Sequence, residues 1–319
     1  MSIDLTPLKN ARRLLFSVRL KPVQGTRFQP TGFPDLGAAV YQAGGTTYLL
    51  VESPQSMANR LEAVCWDESK NDLREPLRGL SYVRVERGGR YLTSSITEAH
   101  RLNSVYIEKA SGGEFHRSIA QEMGYDERGP IDWKSFYRVL LKYDVNSLIH
   151  GVFMESISGR LRVPRALSAF IEAEGVQVAA SGGVKKDHVQ PTKEADGTRT
   201  SKEGYGNIVY PREEFTAENI VAYFNVDLSQ IRSYGVGDEA ERLLILLSLY
   251  KIRAFLDGDL RLRTACDLVI WDPSSPIVAE EPSRFELPAL SAIETDLRLA
   301  IRKCEELGLM NGITRIVTD

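Results

Sequence analysis

The stretch RLLFSVRLKPVQGTRFQPTGFPDLGAA, Arg13 to Ala39, decides how the rest of the chain is read. Leu14, Phe16, Val18 and Leu20 alternate with Leu15, Ser17 and Arg19, the period of a strand with one wholly apolar face. The loop that follows has a different character. It carries Lys21 and Arg27, four glycines or prolines before Phe33, and no acid until Asp35. Glycine lets a backbone come close to a ligand, and cations without nearby acids favour an anionic one. No catalytic group is evident in it.

Outward from this strand, a hairpin is expected over Val40–Tyr41 and Thr47–Val51 with its turn at Gly44-Gly45. Ser53 and Pro54 then predict the cap and first turn of a helix running through QSMANRLEAVCWD. Tyr82–Val85 and Tyr91–Leu92 read as short strands about Gly88-Gly89, and Ser95 with Glu98 forms a capping box that predicts a helix over ITEAHRLNS. Asp132 caps a helix whose Trp133, Phe136, Tyr137, Leu140 and Leu141 share one face, a stripe that belongs to the core. LIHGVF, ending at Phe153, reads as a buried strand in which His150 is a satisfied core histidine, and Pro164 to Glu174 as a helix. Ile220, Ala222, Phe224, Val226 and Leu228 alternate along a further strand. Asp238 and Glu241 open the strongest helix, Glu239 to Asp257, which Gly258 stops, and Leu260 to Ile270 reads as another strand. This order is α+β and is compatible with a ferredoxin-like sheet carrying insertions.

From Ser181 to Asn207 the texture changes. SGGVKKDHVQPTKEADGTRTSKEGYGN holds five glycines, five bases and four acids with few apolar residues. A polar excursion of this length is uncommon in a compact domain and points to function or disorder.

At 319 residues, 43% hydrophobic and 26% charged, the chain has the balance of a globular protein. No apolar run approaches the length of a membrane span, and Met1 to Asn10 lacks the apolar middle of a signal peptide, so a cytoplasmic protein is the expectation. Cys65, Cys266 and Cys304 stand far apart among apolar neighbours and read as buried hydrophobes. The net charge of −3 is unevenly laid out. Six bases face one acid between Met1 and Pro34, a local +5, while nine acids face five bases from Trp271 onward, a local −4. That polarity suits a basic groove on one side and stacking of copies head to tail.

Catalytic motifs are missing: there is no phosphate-binding P-loop, nucleophile elbow, HExxH or CxxC, and GYGNIV lacks the third glycine of a dinucleotide fingerprint. The four histidines have no ligand-like spacing, which leaves no metal or cofactor site to name. Nucleic-acid features are more consistent. Basic grooves with stacking side chains hold single-stranded RNA. Phe28, Phe33 and Tyr205 are candidates to stack, with Phe28 equally suited to plug the core. His188 beside Lys185 and Lys186 is a candidate phosphate contact. Arg101, next to His100, reads as a surface or subunit contact.

RLLFSVRLKPVQGTRFQPTGFPDLGAAVY, LLVESPQSMANRLEAVCWD, TSSITEAHRLNSVYI and ALSAFIEAEG together resemble the CRISPR-associated RAMP proteins, in particular the Cas seven-type backbone subunit of the type I-G (earlier I-U) Cascade surveillance complex. The likeness runs over nearly the whole chain. It implies a single RRM-like palm over 1–319, an inserted helical region over 94–145 and a protruding thumb over 181–207. It also implies a non-catalytic subunit that binds CRISPR RNA and polymerises with copies of itself beside other Cascade subunits. Target DNA is then read by base pairing with the guide. On this resemblance Lys21, Gln24, Arg27, Phe28, Asn59, Arg60, Lys185, Lys186, His188 and Tyr205 are the expected RNA contacts, Asn59 and Arg60 being equally explained by pairing with Glu62 or Asp67. Two rivals stand beside it. Related type III subunits cut RNA with an aspartate after the first strand, a place that Asp35 would fill here. A metabolic α+β enzyme with an unrecognised site is what remains if the likeness is false.

Overall fold

The computed structural model describes residues 2–33, 35–185, 188, 208–258 and 260–318. Strand β1 (Arg13–Pro22) is joined in one antiparallel sheet by β2 (Val40–Ala43), β3 (Thr46–Glu52), β4 (Leu167–Glu174), β5 (Asn219–Asp227), β6 (Arg261–Arg263) and β7 (Cys266–Ile270), in the spatial order β6-β7-β1-β5-β4-β3-β2. The alternation read in β1 sets the register. Phe16 lies opposite Phe224 and Phe224 opposite Ala169, while Val18, Ala222 and Ile171 form the next row, so large and small side chains alternate across the buried face.

Helices α1 (Pro54–Ala63), α2 (Trp133–Tyr143), α3 (Val145–His150), α4 (Asp238–Gly258) and α5 (Leu290–Glu306) supply the rest of the core. Phe255 of α4 meets Phe224 edge-on at 6.3 Å. Two of the expected caps are present: Ser53 accepts from the Ser56 amide and Asp132 from that of Ser135. A smaller sheet pairs Tyr82–Arg87 with Arg90–Ser94 and, in parallel, with Ile313–Val317. Residues 94 to 145 carry the short helices Val105–Glu108 and Glu114–Glu122 as well as α2. All three cysteines are free and buried. Among the described residues no helix is long and apolar enough to cross a membrane.

Several expectations are corrected. Pro164 to Glu174 is not a helix: Leu167, Ala169, Ile171 and Ala173 point inward from strand β4, where pairing on both sides overrides the helix preference of its alanines and glutamates. LIHGVF does the reverse, giving the end of α3 and then only Val152–Phe153 as strand. Gly151 makes the break at φ +79, where a Cβ would stand 2.6 Å from the Val163 carbonyl oxygen. The capping box at Ser95 caps no helix, since Ser95 Oγ accepts from the Val83 amide and Glu98 takes the hydroxyls of Thr93 and Ser104. α1 stops at Ala63, and Trp66–Asp67 pairs with Asp72–Leu73. Leu260 to Ile270 is a hairpin, turned at Ala265 with φ +61.

Arg101 and His150 are also corrected, because both are buried in a polar cluster. Arg101 forks onto the Glu62 carboxylate at 2.6 and 2.7 Å and reaches the Gly151 carbonyl at 3.0 Å. Asn146 donates to the same carboxylate and accepts from Lys251 at 2.8 Å. Neither ring nitrogen of His150 has a partner among the described residues, so this histidine is buried but not satisfied. Burial and the nearby Lys251, Arg101 and Arg165 charges push its pKa well below the ordinary value and keep it neutral.

Breaking the Glu62–Arg101 pair leaves the buried Glu62 carboxylate without the guanidinium that neutralises it. Arg101→Met is therefore expected to destabilise the fold by about 3–5 kcal/mol in denaturant titration. Asp144, fully buried, has its carboxyl raised by desolvation to about 7. Below the unfolded carboxyl value of about 4 both states are protonated. Between there and 7 the folded state holds the extra proton, so stability falls as pH rises through this window and levels off above it. Asp144→Asn should flatten that part of the stability–pH curve and leave the variant the more stable protein at pH 8.

Candidate nucleic-acid interface

The loop leaving β1 is pinned on three sides. Val23 donates to the Asp267 carbonyl at 2.9 Å, Gln29 to Ala265 at 2.8 Å, and Phe28 and Phe215 exchange both backbone hydrogen bonds at 2.9 Å. Gly25 turns the chain at φ +68. So held, the loop exposes Val23, Gln24, Thr26 and Arg27. Arg27 lies 3.6 Å from Glu214, a buried carboxylate that Arg212 also pairs.

Phe28 is corrected from stacking platform to plug: it is 0% exposed, seated in the core between the loop and Phe215. Its apolar ring gains more from burial than a solvated loop would give it.

Arg60 is engaged elsewhere. Its Nε donates to Glu52 at 2.9 Å and its Nη2 to the Leu262 carbonyl at 2.6 Å. Glu52, itself buried, also takes Ser56 and Arg263, and Arg263 bonds the Gln29 and Val51 carbonyls. The partner of Arg60 is thus Glu52 rather than Glu62 or Asp67. Asn59 is exposed but lines a cleft with Glu62, Glu68 and Glu98 that includes none of the loop's cations.

Between β4 and β5 the chain rises as a hairpin of Gln177–Lys185 against Ile208–Thr216. Phe28 docks at its base, on Phe215, the partner of Val178. Lys185 is seven residues further along, roughly 23 Å at strand rise. Lys185 and His188 are exposed near the far end and do not share a groove with Arg27. Lys186, Tyr205 and most of 181–207 lie outside the described residues.

Asp35 is exposed in the turn between Gly32–Phe33 and Gly37–Ala38. Among the described residues no group of three or more His, Cys, Asp or Glu side chains is gathered to hold a metal ion.

Two side chains that sequence reasoning passed over adjoin Lys21. The Lys21 ammonium lies 5.3 Å from the centroid of the Trp271 ring, which the Arg19 guanidinium covers at 4.1 Å. Arg19 stood in the alternation of β1, but nothing local announced Trp271.

The loop and hairpin base can hold an anionic polymer along exposed amide, guanidinium and backbone groups. The family model for "CRISPR-associated protein GSU0053" matches residues 14–178, just over half of the chain. No curated protein matches it. Among solved structures, a chain of a "CRISPR RNA-guided surveillance complex, pre-nicking" overlaps with a TM-score of 0.39 at 15% identity, covering 81% of this chain and 76% of that one. A chain of a "CRISPR RNA-guided surveillance complex" gives 0.32 at 13%, covering 80% and 66%. Csc2 of Thermofilum pendens gives 0.29 at 10%, covering 96% and 80%. The family assignment rests on the sequence match, which includes β1, the basic loop and α1: the chain belongs to the CRISPR-associated GSU0053 protein family.

Proposed function

We propose that this protein is a non-catalytic, CRISPR RNA-binding backbone subunit of a type I Cascade surveillance complex in the cytoplasm, of the Cas seven type found in subtype I-G. Copies line up along the guide with other Cascade subunits and leave its bases free to pair with target DNA. The observation that carries this reading is the long hairpin that rises between two adjacent middle strands, next to a pinned loop exposing Gln24 and Arg27.

The strand order β7-β1-β5-β4 supports an RRM-like palm, since it is the order that a βαββαβ chain makes. In this reading 1–319 is one domain, 94–145 its helical insertion and 181–207 its thumb. Lys21, Gln24 and Arg27 contact the guide at the palm, and Lys185 and His188 contact it from the thumb; Asn59, in a cleft lined by three glutamates, does not. Asp35 plays no part in cleavage.

Affinity for single-stranded RNA should fall steeply with salt, and Arg27→Ala should shallow the slope of log K against log salt by about 0.7 for the phosphate contact removed. Duplex RNA of equal length serves as the control. Absence of RNA binding at low salt, with partner subunits supplied, overturns the reading. Incubation of guide-paired RNA with magnesium or manganese should yield no cleavage products; products that disappear in Asp35→Ala would make the protein a RAMP endonuclease instead.

A further inference from the structure

Trp271 is 47% exposed, more than Trp66 or Trp133. Its position is set by the backbone: its amide donates to the Arg19 carbonyl at 2.9 Å, which puts the indole beside β1 just past the end of β7. Arg19 and Lys21, two residues apart and so on one face of that strand, both lie over the ring. Among the described residues neither cation is in a salt bridge; the other contact of Arg19 is the Glu218 carbonyl at 3.4 Å. The carboxylates that line the two adjoining clefts, Asp272, Asp257 and Asp267, form no salt bridge with either cation among the described residues.

Arg19 and Trp271 line a cleft of about 300 Å³ with Ser17, Asp272 and Ser275. The one carboxylate there, Asp272, is turned back onto Ser274 and Ser275, whose hydrogen bonds hold its carboxyl down to about 2. A second cleft holds Lys21 and Arg261 with Asp257 and Asp267. Asp257 is paired with Arg253 at 3.0 Å.

We propose that Trp271, Arg19 and Lys21 form a nucleotide subsite for single-stranded RNA, with a base stacked on the indole and the two cations on the flanking phosphates. The subsite rests on the RNA-binding reading and extends it from Lys21 to Arg19 and Trp271, which that reading does not use. Every base has a π-face, so an indole accepts any of them, and a cation over the ring keeps outward N–H groups for phosphate oxygens. The ring is already held by a backbone bond and two cations, so little freedom is lost when a base arrives.

The test uses the full chain carrying Trp133→Phe, which leaves Trp271 as the exposed fluorophore beside the buried Trp66. Adding a single-stranded oligouridylate should quench the emission. Trp271→Ala should weaken affinity for the oligomer about tenfold, and Trp271→Phe should abolish the quench while recovering part of the affinity, because a phenyl ring still stacks. Retention of both secondary structure and thermal transition in Trp271→Ala separates lost stacking from lost folding. RNA binding with unchanged emission, and equal affinity in Trp271→Ala, overturns the subsite and leaves the guide-binding reading standing. Failure of every form, including wild type, to bind RNA overturns both.

Discussion

One carboxylate sets the arrangement on which the candidate interface depends. Glu52, at the end of β3, is 1% exposed and is met by Arg60, Arg263 and the Ser56 hydroxyl. A buried charge without partners is costly, so the three groups must converge, and they come from α1 and from the β6–β7 hairpin. Arg263 extends the constraint by holding the Gln29 and Val51 carbonyls, which seats the loop after β1. The basic residues thus divide by role. Arg60, Arg101 and Arg263 are engaged in holding the fold, whereas Arg19, Lys21 and, in part, Arg27 keep charge for the surface.

This division explains what the sequence could and could not disclose. β1, the Ser53 and Asp132 caps and the long α4 were legible because period and capping are local properties. The helix expected over Pro164 to Glu174 failed because Leu, Ala and Glu favour helices and only pairing to β3 and β5 decides the matter. α3 failed for the opposite reason, a short apolar run whose length does not separate strand from helix. At the candidate site the loop's character was visible, yet the partner of each charge was not. Arg263 meets a carboxylate 211 residues away, Arg101 one 39 residues away, and Trp271 takes its cations from the first strand. Phe28 and Phe215 likewise find each other only in three dimensions.

The buried cluster of Glu62, Arg101, Asn146 and Lys251 adds a second kind of specification to an otherwise apolar interior. It ties α1, α3 and α4 to the segment around Arg101 through directional contacts. Apolar packing tolerates small slips; a bidentate guanidinium does not. Its position under α1 means that the helix carrying Asn59 is anchored at both ends, by Glu52 before its first turn and by Glu62 near its last.

The placement of the long hairpin has a bearing on how freely this protein can vary. β4 and β5 are already antiparallel neighbours, and Glu174 lies opposite Asn219 where the insertion begins and ends. The two stubs are thus brought together by the sheet itself, so a longer or shorter excursion changes the closure entropy only logarithmically with its length. Reach above the sheet can therefore be adjusted by adding or deleting residues between these stubs while every row of the sheet keeps its register.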